Sequence, residues 1–192
     1  MLTACILTCN ELEPLKKCLA SIKGHVDDYV IGIDDKTNDG TEKWLREAGY
    51  NPFTFKFTDF GSMRNGLIDR VKSQWLLTID SDEIMLPAHA ARLRDLCHQG
   101  NAQGVDTWTM SRLHWFDLEM TREWVPCPNG DSQYRLMRKH VRYSGRVHEQ
   151  CVNFKKSQHC DLQIQHFNIH YRDATAWAKT NKLYQDLAEG KL

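Results

Sequence analysis

The chain has 192 residues, with 25 Lys and Arg against 25 Asp and Glu, so its formal net charge at pH 7 is zero with the nine histidines neutral. That length suits one domain, and 41% hydrophobic with 26% charged residues excludes a disordered or fibrous chain. Balanced charge argues against a strongly basic nucleic-acid binder and against a polyanionic tail, while leaving room for a local basic groove.

No stretch reaches the ~20 consecutive apolar residues of a membrane helix. The opening Met1–Thr8 lacks a basic start and meets Asn10 and Glu11 too early for a signal peptide. No integral membrane segment and a cytoplasmic location are therefore expected. Seven cysteines, odd in number and dispersed, contain no C-x-x-C pair. They read as reduced thiols packing as small apolar residues, Cys5 and Cys9 among them on one strand face.

In chain order, the first half alternates strand and helix. Thr3–Thr8 is a short apolar run, expected as a buried strand. Pro14–Ile22 follows with Leu15, Cys18, Leu19 and Ile22 at helical spacing. Tyr29–Asp34 is a second strand, and Asp39-Gly40-Thr41-Glu42 reads as a capping-box start for a helix that stops at Gly49. Phe53–Phe57 is a third strand, Ser62–Lys72 a third helix, and Trp75–Ile79 a fourth strand running into Asp80-Ser81-Asp82-Glu83. Such alternation implies parallel βαβ units with helices on both faces of a mostly parallel sheet. Ligands in such sheets bind beyond the carboxyl ends of the strands, which selects Thr8–Glu11, Asp34–Asp39 and Asp80–Glu83.

The second half changes character. A helix near Pro87–Cys97 is followed by strands expected at Thr107–Leu113, Gln133–Arg138 and Ile164–Tyr171. Asp173 is expected to cap a last helix, Ala174–Glu189, that buries Trp177, Leu183, Tyr184 and Leu187. One α/β domain over residues 1–192 accounts for this order.

Asp80 and Asp82 can converge on one divalent cation, and oxygen ligands favour Mg²⁺ or Mn²⁺, which also bind substrate phosphates. Asp34 and Asp35 sit together at another strand end, where a base or ribose with N–H or O–H donors would satisfy them. Neither G-x-G-x-x-G nor G-x-x-x-x-G-K-[ST] occurs, so dinucleotide-fold dehydrogenases and P-loop enzymes are not supported. His159, Cys160, His166 and His170 match no usual zinc spacing. The basic stretch Arg135, Arg138, Lys139, His140, Arg142 and Arg146 reads as solvated charge, as a phosphate clamp or as a landing site for an anionic acceptor. Trp108, Trp115, Phe116 and Trp124 offer flat faces for a sugar ring, in competition with core packing.

Four segments, in order, resemble the family 2 glycosyltransferases of GT-A fold. Thr8-Cys9-Asn10-Glu11 is similar to the family's first nucleotide-contacting segment, and Ile33–Thr41 is similar to its DDGSTDGT segment, with Lys36 where the family usually has Gly. Arg64-Asn65 matches its RN pair, and Leu77–Glu83 is similar to its D-x-D segment. Arg135–Arg138 and Tyr143–Glu149 further resemble a subgroup that includes small lipopolysaccharide-core glucosyltransferases.

The resemblance implies a nucleotide-sugar-binding half, residues 1–100, and an acceptor-side half, residues 101–192. It places Thr8, Asn10, Glu11, Asp34, Asp35, Arg64, Asp80 and Ser81 around the donor, with Asp35 on the nucleobase. Asp82 would bind the metal, with Asp80 beside it and His148 or His170 as a further ligand. The implied reaction is transfer from a nucleotide diphosphate sugar, a UDP-sugar, to an acceptor hydroxyl with inversion. Mn²⁺ or Mg²⁺ would stabilise the departing diphosphate. Glu149 is the first candidate for the general base and Asp131 the second, the competing reading of Glu149 being an ion pair with Arg142 or Arg146. The expected acceptor is a saccharide of a cell-surface glycan. The alternatives are a modified DNA base or a protein as acceptor, a nucleotidyltransferase, or a nucleotide-sugar-binding module without catalysis.

Overall fold

A computed structural model describes residues 1–124, 130–167 and 174–191. The first half runs β1 (Leu2–Thr8), α1 (Leu12–Ile22), β2 (Asp28–Asp34), α2 (Thr41–Glu47), β3 (Phe53–Phe55), α3 (Phe60–Arg70) and β4 (Trp75–Thr78). It continues through β5 (Glu83–Met85), α4 (Pro87–Ala90), α5 (Leu93–Gln103), β6 (Thr107–Trp115) and β7 (Glu123–Trp124). The last elements are β8 (Ser132–Arg138), β9 (Arg142–Ser144), β10 (Gln150–Val152), β11 (Ser157–Phe167) and α6 (Ala174–Ala188).

The main sheet has the order β3-β2-β1-β4-β8-β6-β11-β5, with β7 on β6. Strands β3, β2, β1 and β4 pair in parallel, as do β6 and β11. Strand β8 is antiparallel to both β4 and β6, so it reverses direction in the middle of the sheet.

Side chains alternate across the strands, and each face has its own core. Ala4, Ile6, Ile31, Ile33 and Leu77 pack with Leu15, Leu19 and Ile22 of α1, Leu45 of α2 and Leu93 and Leu96 of α5. Cys5, Val30 and Leu76 point the other way, onto Leu67 and Ile68 of α3 and Tyr143 and Cys151 of the β9–β10 hairpin. Helices therefore cover both faces of the sheet, as expected from the uninterrupted apolar strands.

Several boundaries differ for local reasons. Helix α3 begins at Phe60 because Asp59, not Ser62, caps it, accepting the Ser62 N–H at 2.7 Å. The capping box expected at Asp39 is replaced by Gly40 at φ 87°, with Asp39 Oδ1 accepting from Thr41 N at 3.1 Å and Oδ2 from Leu12 N at 3.0 Å. The single helix near Pro87–Cys97 is two, and β5 was not anticipated. Cys9 is exposed rather than packed with Cys5. In α6, Leu187 is fully buried but Trp177 is 54% exposed, against the expectation that it packs inward. The expected cap Asp173 and the strand end at Tyr171 lie outside the described residues. Among the described residues, no helix is long and apolar enough to cross a membrane.

Leu19 is 1% exposed in the larger core. Leu19→Ala is expected to lower unfolding free energy by about 2–5 kcal/mol in urea titration, whereas Trp177→Ala leaves it within about 0.5 kcal/mol.

Candidate active site

The carboxyl ends of β1, β2 and β4 bring together the three polar segments selected from the sequence. Asn10, in a left-handed conformation at φ 56°, stitches the first two: its Oδ1 accepts from Asn38 N at 2.8 Å. Asp34 is buried and its Oδ1 accepts from Lys36 N at 2.8 Å, so it holds the loop. Asp35 is exposed, and among the described residues only its backbone N–H is engaged, donating to Phe55 O at 2.9 Å. Its carboxylate is therefore left to face outside donors. Glu11 accepts from the Ser81 hydroxyl, tying the end of β1 to the turn after β4. Thr8 is 4% exposed, and its Oγ1 has no hydrogen-bond partner among the described residues.

Asp80 does not stand open. Arg64 Nη1 donates to its Oδ1 at 2.7 Å and Arg135 Nη2 to its Oδ2 at 2.8 Å. Burial alone would favour the neutral acid, but the two guanidiniums hold the carboxyl well below the ordinary range. Arg64 Nε also donates to Glu149 Oε1 at 2.5 Å. Its charge is secured against its own desolvation by Asp80 first and Glu149 second. Glu149 thus pairs with Arg64, and not with Arg142 or Arg146.

The loop carrying Glu149 is seated by close backbone approach. A Cβ on Gly61, in the first turn of α3, would overlap the carbonyl oxygen of Gly145. Phe60 N donates to Arg146 O at 3.1 Å. Asn65 exchanges bonds with both backbone groups of Tyr143, at 2.8 and 2.9 Å. The Arg64-Asn65 pair therefore docks the β9–β10 hairpin and its carboxylate against the D-x-D turn.

A second chain of contacts runs along the other side. Arg135 donates to fully buried Glu83 at 2.5 Å, and Arg112 reaches Glu83 at 3.3 Å and Asp131 at 2.7 Å. His114 Nε2 lies 2.9 Å from Asp131 Oδ2, and Gln133 donates to Asp131 Oδ1 at 2.5 Å. His114 and His166 face each other across the β6–β11 ladder, with Nδ1 atoms 3.0 Å apart. His166 Nε2 is 3.2 Å from Asp82 Oδ2. The β5–β11 pairing sets His166 opposite Glu83, and Phe167 N donates to Asp82 O at 2.8 Å, which places the imidazole at the turn. Burial opposes charging His166, yet Asp82 prevails and raises its pKa.

Sequence reasoning selected Glu83 with its strand end but gave it no role, missed Arg112 and His114, and met His166 only within a rejected zinc grouping. Arg112 and His114 stand two apart on one strand face, a signal that was present. The structure does not bring His148 to Asp82 by any described contact: it is exposed at φ 52° and its ring meets Tyr184 at 5.6 Å. His170 lies outside the described residues. Among the described residues, no three His, Cys, Asp or Glu side chains converge as a ready metal-holding group. Asp82 Oδ2 and His166 Nε2 lie side by side at 3.2 Å, an oxygen and, once the imidazole gives up its proton, a nitrogen of the kinds that suit Mn²⁺ better than Mg²⁺.

Asp131 yields a stability prediction. Burial pushes its pKa up, but the His114 contact and the Arg112 charge hold it well below the ordinary 3.8. Its contribution is full above the unfolded value and lost as pH falls through the folded one. Denaturation midpoints at pH 7 and pH 3 should therefore diverge more in the wild type than in Asp131→Asn.

The chain is similar to known proteins over most of its length. The sequence model described as Glycosyl transferase family 2 matches residues 3–166. A TPR repeat-containing protein of Synechococcus elongatus is 31% identical over 99 residues, 51% of this chain and 24% of that protein. The SPbeta prophage-derived glycosyltransferase SunS of Bacillus subtilis is 22% identical over 160 residues, 81% of this chain and 36% of that protein. The chain thus spans about a quarter to a third of the length of these relatives. S. aureus TarS 1-349 superposes with a TM-score of 0.60 at 10% identity, over 97% of this chain and 64% of that one. TarS 1-349 in complex with UDP-GlcNAc gives 0.53 at 14% identity, over 72% and 45%. These likenesses carry the GT-A-like α/β fold, and the span of the family match makes the chain a member of glycosyl transferase family 2.

Proposed function

We propose that this chain transfers a glycosyl group from a nucleotide diphosphate sugar, a UDP-sugar, to an acceptor hydroxyl with inversion at the anomeric carbon. The observation that carries this reading is Arg64, which links the D-x-D carboxylate Asp80 to Glu149 in one buried contact. Donor ligation and proton acceptance are thereby set side by side.

Asp35 takes the nucleobase N–H, and Asn10, Asp34 and Asp39 hold the loop that presents it. Thr8, Glu11 and Ser81 form the floor beneath the donor. Asp82 and His166 would hold a divalent cation, Mn²⁺ in preference to Mg²⁺, with Asp80 fixing the turn between the arginines and His148 at the rim. When bound, the cation neutralises charge on the departing diphosphate. The acceptor hydroxyl forms its bond to the anomeric carbon as the bond to the diphosphate breaks, and that electron pair leaves with the diphosphate. The hydroxyl proton passes to Glu149, whose Oε1 is anchored on Arg64 and whose Oε2 has no partner among the described residues.

Asp131 is the weaker base. His114, Arg112 and Gln133 occupy both of its oxygens and keep it ionised. The acceptor we assign is a saccharide hydroxyl, on the likeness of Arg135–Arg138 and Tyr143–Glu149 to lipopolysaccharide-core glucosyltransferases. Zero net charge weighs against a DNA acceptor. The six free cysteines among the described residues support a reducing, cytoplasmic setting.

Thermal denaturation with UDP-, GDP-, ADP- and dTDP-sugars, with and without Mn²⁺, tests the donor. A UDP-sugar should raise the midpoint only with metal, by the equivalent of about 2.7 kcal/mol at a hundred times its Kd, and Asp82→Ala should abolish the shift. Glu149→Gln should keep the shift and lose about 10²–10⁴-fold in transfer. No metal-dependent shift with any nucleotide sugar would sink the reading.

A further inference from the structure

The basic run of the sequence does not gather at the donor pole. Arg135 lies inside the carboxylate network, but β8 runs antiparallel to β4, so Arg138 pairs with Trp75 at the strand's other end. Five residues of extended chain separate Trp75 from Asp80, about 16 Å at the usual strand rise. At that far pole Arg138, Lys139, His140 and Arg142 line, with Lys72 and Asp106, an open cleft of about 710 Å³.

Four permanent cations line the cleft with Asp106, which lies 3.7 Å from Arg138, while Asp69 pairs with Arg142 from outside the lining, in a chain whose overall charge is zero. Asp106 is already engaged: its Oδ2 accepts from Lys155 N at 2.8 Å and Lys156 N at 3.2 Å, and its Oδ1 lies 3.4 Å from His140 Nε2. Lys72 and Lys139 make no ion pair among the described residues. Arg142 meets Asp69 at 3.3 Å, but that aspartate is 66% exposed, so the pair is weak and readily exchanged.

The walls are fixed before any ligand arrives. Arg138 lies 4.8 Å over the Trp75 ring and donates to Val105 O at 3.0 Å. Lys139 N donates to Gln74 O at 3.0 Å, locking the β8–β9 turn to the α3–β4 turn. Arg142 Nη1 donates to Val141 O at 3.0 Å, while Nη2 donates to the exposed Asp69 at 3.3 Å. The fixed backbone and Arg142 set the cleft's shape, and the ammonium groups of Lys72 and Lys139 have no ion-pair partner among the described residues. A lone carboxylate would leave most of this charge unmatched, whereas a phosphate brings about two charges and three acceptor oxygens.

We propose that this cleft binds a soluble phosphate-bearing ligand, a phosphate ester or pyrophosphate group, through Lys72, Lys139 and Arg142. The site is separate from the donor pole and does not depend on the function assigned there.

Titration calorimetry of the full chain with inorganic pyrophosphate, in EDTA so that no metal-dependent donor binding contributes, tests this. Saturable binding is expected, weakened at least about tenfold by Lys72→Glu or Lys139→Glu and by raised salt. Lys139→Gln should give an intermediate loss, and Asp82→Ala should bind as wild type. No saturable binding, or binding indifferent to both charge reversals, overturns the proposal. So does an affinity altered by Asp82→Ala, which would put the ligand at the donor pole. Co-sedimentation with phosphatidylglycerol vesicles in the absence of pyrophosphate binding overturns it in favour of a membrane surface.

Discussion

The active pole depends on the guanidinium of Arg64 and its grip on two carboxylates from distant parts of the chain. Asp80 arrives on the turn after β4 and Glu149 on the loop before β10, and α3 carries the arginine between them. The Arg64 side chain is 12% exposed. A charge so placed is stable only with its partners present, because removing one strands the others in low dielectric. Asn65 repeats the arrangement in neutral form, holding both backbone groups of Tyr143. Sheet, helix and hairpin are thus fixed to one another at the point where chemistry is expected.

From this junction the charges alternate outward. Arg135 shares Asp80 and Glu83, Arg112 shares Glu83 and Asp131, and the two imidazoles carry the chain to Asp82. The network keeps Asp80 and Asp131 ionised and geometrically committed. Among the described residues, the exposed carboxylate of Asp35 and one oxygen of Glu149 remain to meet ligands. Groups oriented before substrate binds need not reorganise when charge develops, which is the main way a protein site stabilises a leaving diphosphate.

The parallel half of the fold was legible because β1, the second half of β2 and β4 are buried on both faces and α1 carries its own apolar stripe. The D-x-D turn and the Asp34–Asp35 loop were legible because a strand end followed by carboxylates has few other uses. Arg64-Asn65 was matched by likeness, but its double contact with Asp80 and Glu149 was not readable, since it depends on how the β9–β10 hairpin docks. The meeting of His166 with His114 was not readable because it is fixed by two strand registers in the mixed half. The basic run misled in another way: reading it as one group ignored the reversal of β8, which sends Arg135 and Arg138 to opposite poles. Trp177 shows the limit of helical spacing, which locates an apolar face without saying whether anything covers it.

A crystal structure of the chain soaked with UDP and Mn²⁺ tests most directly whether the strand-end pole is the donor site. It should show the uracil N–H on Asp35 and the cation bonded to Asp82 beside His166, with Arg64 still joining Asp80 to Glu149. A nucleotide bound elsewhere, or a cation that leaves Asp82 untouched, would contradict it.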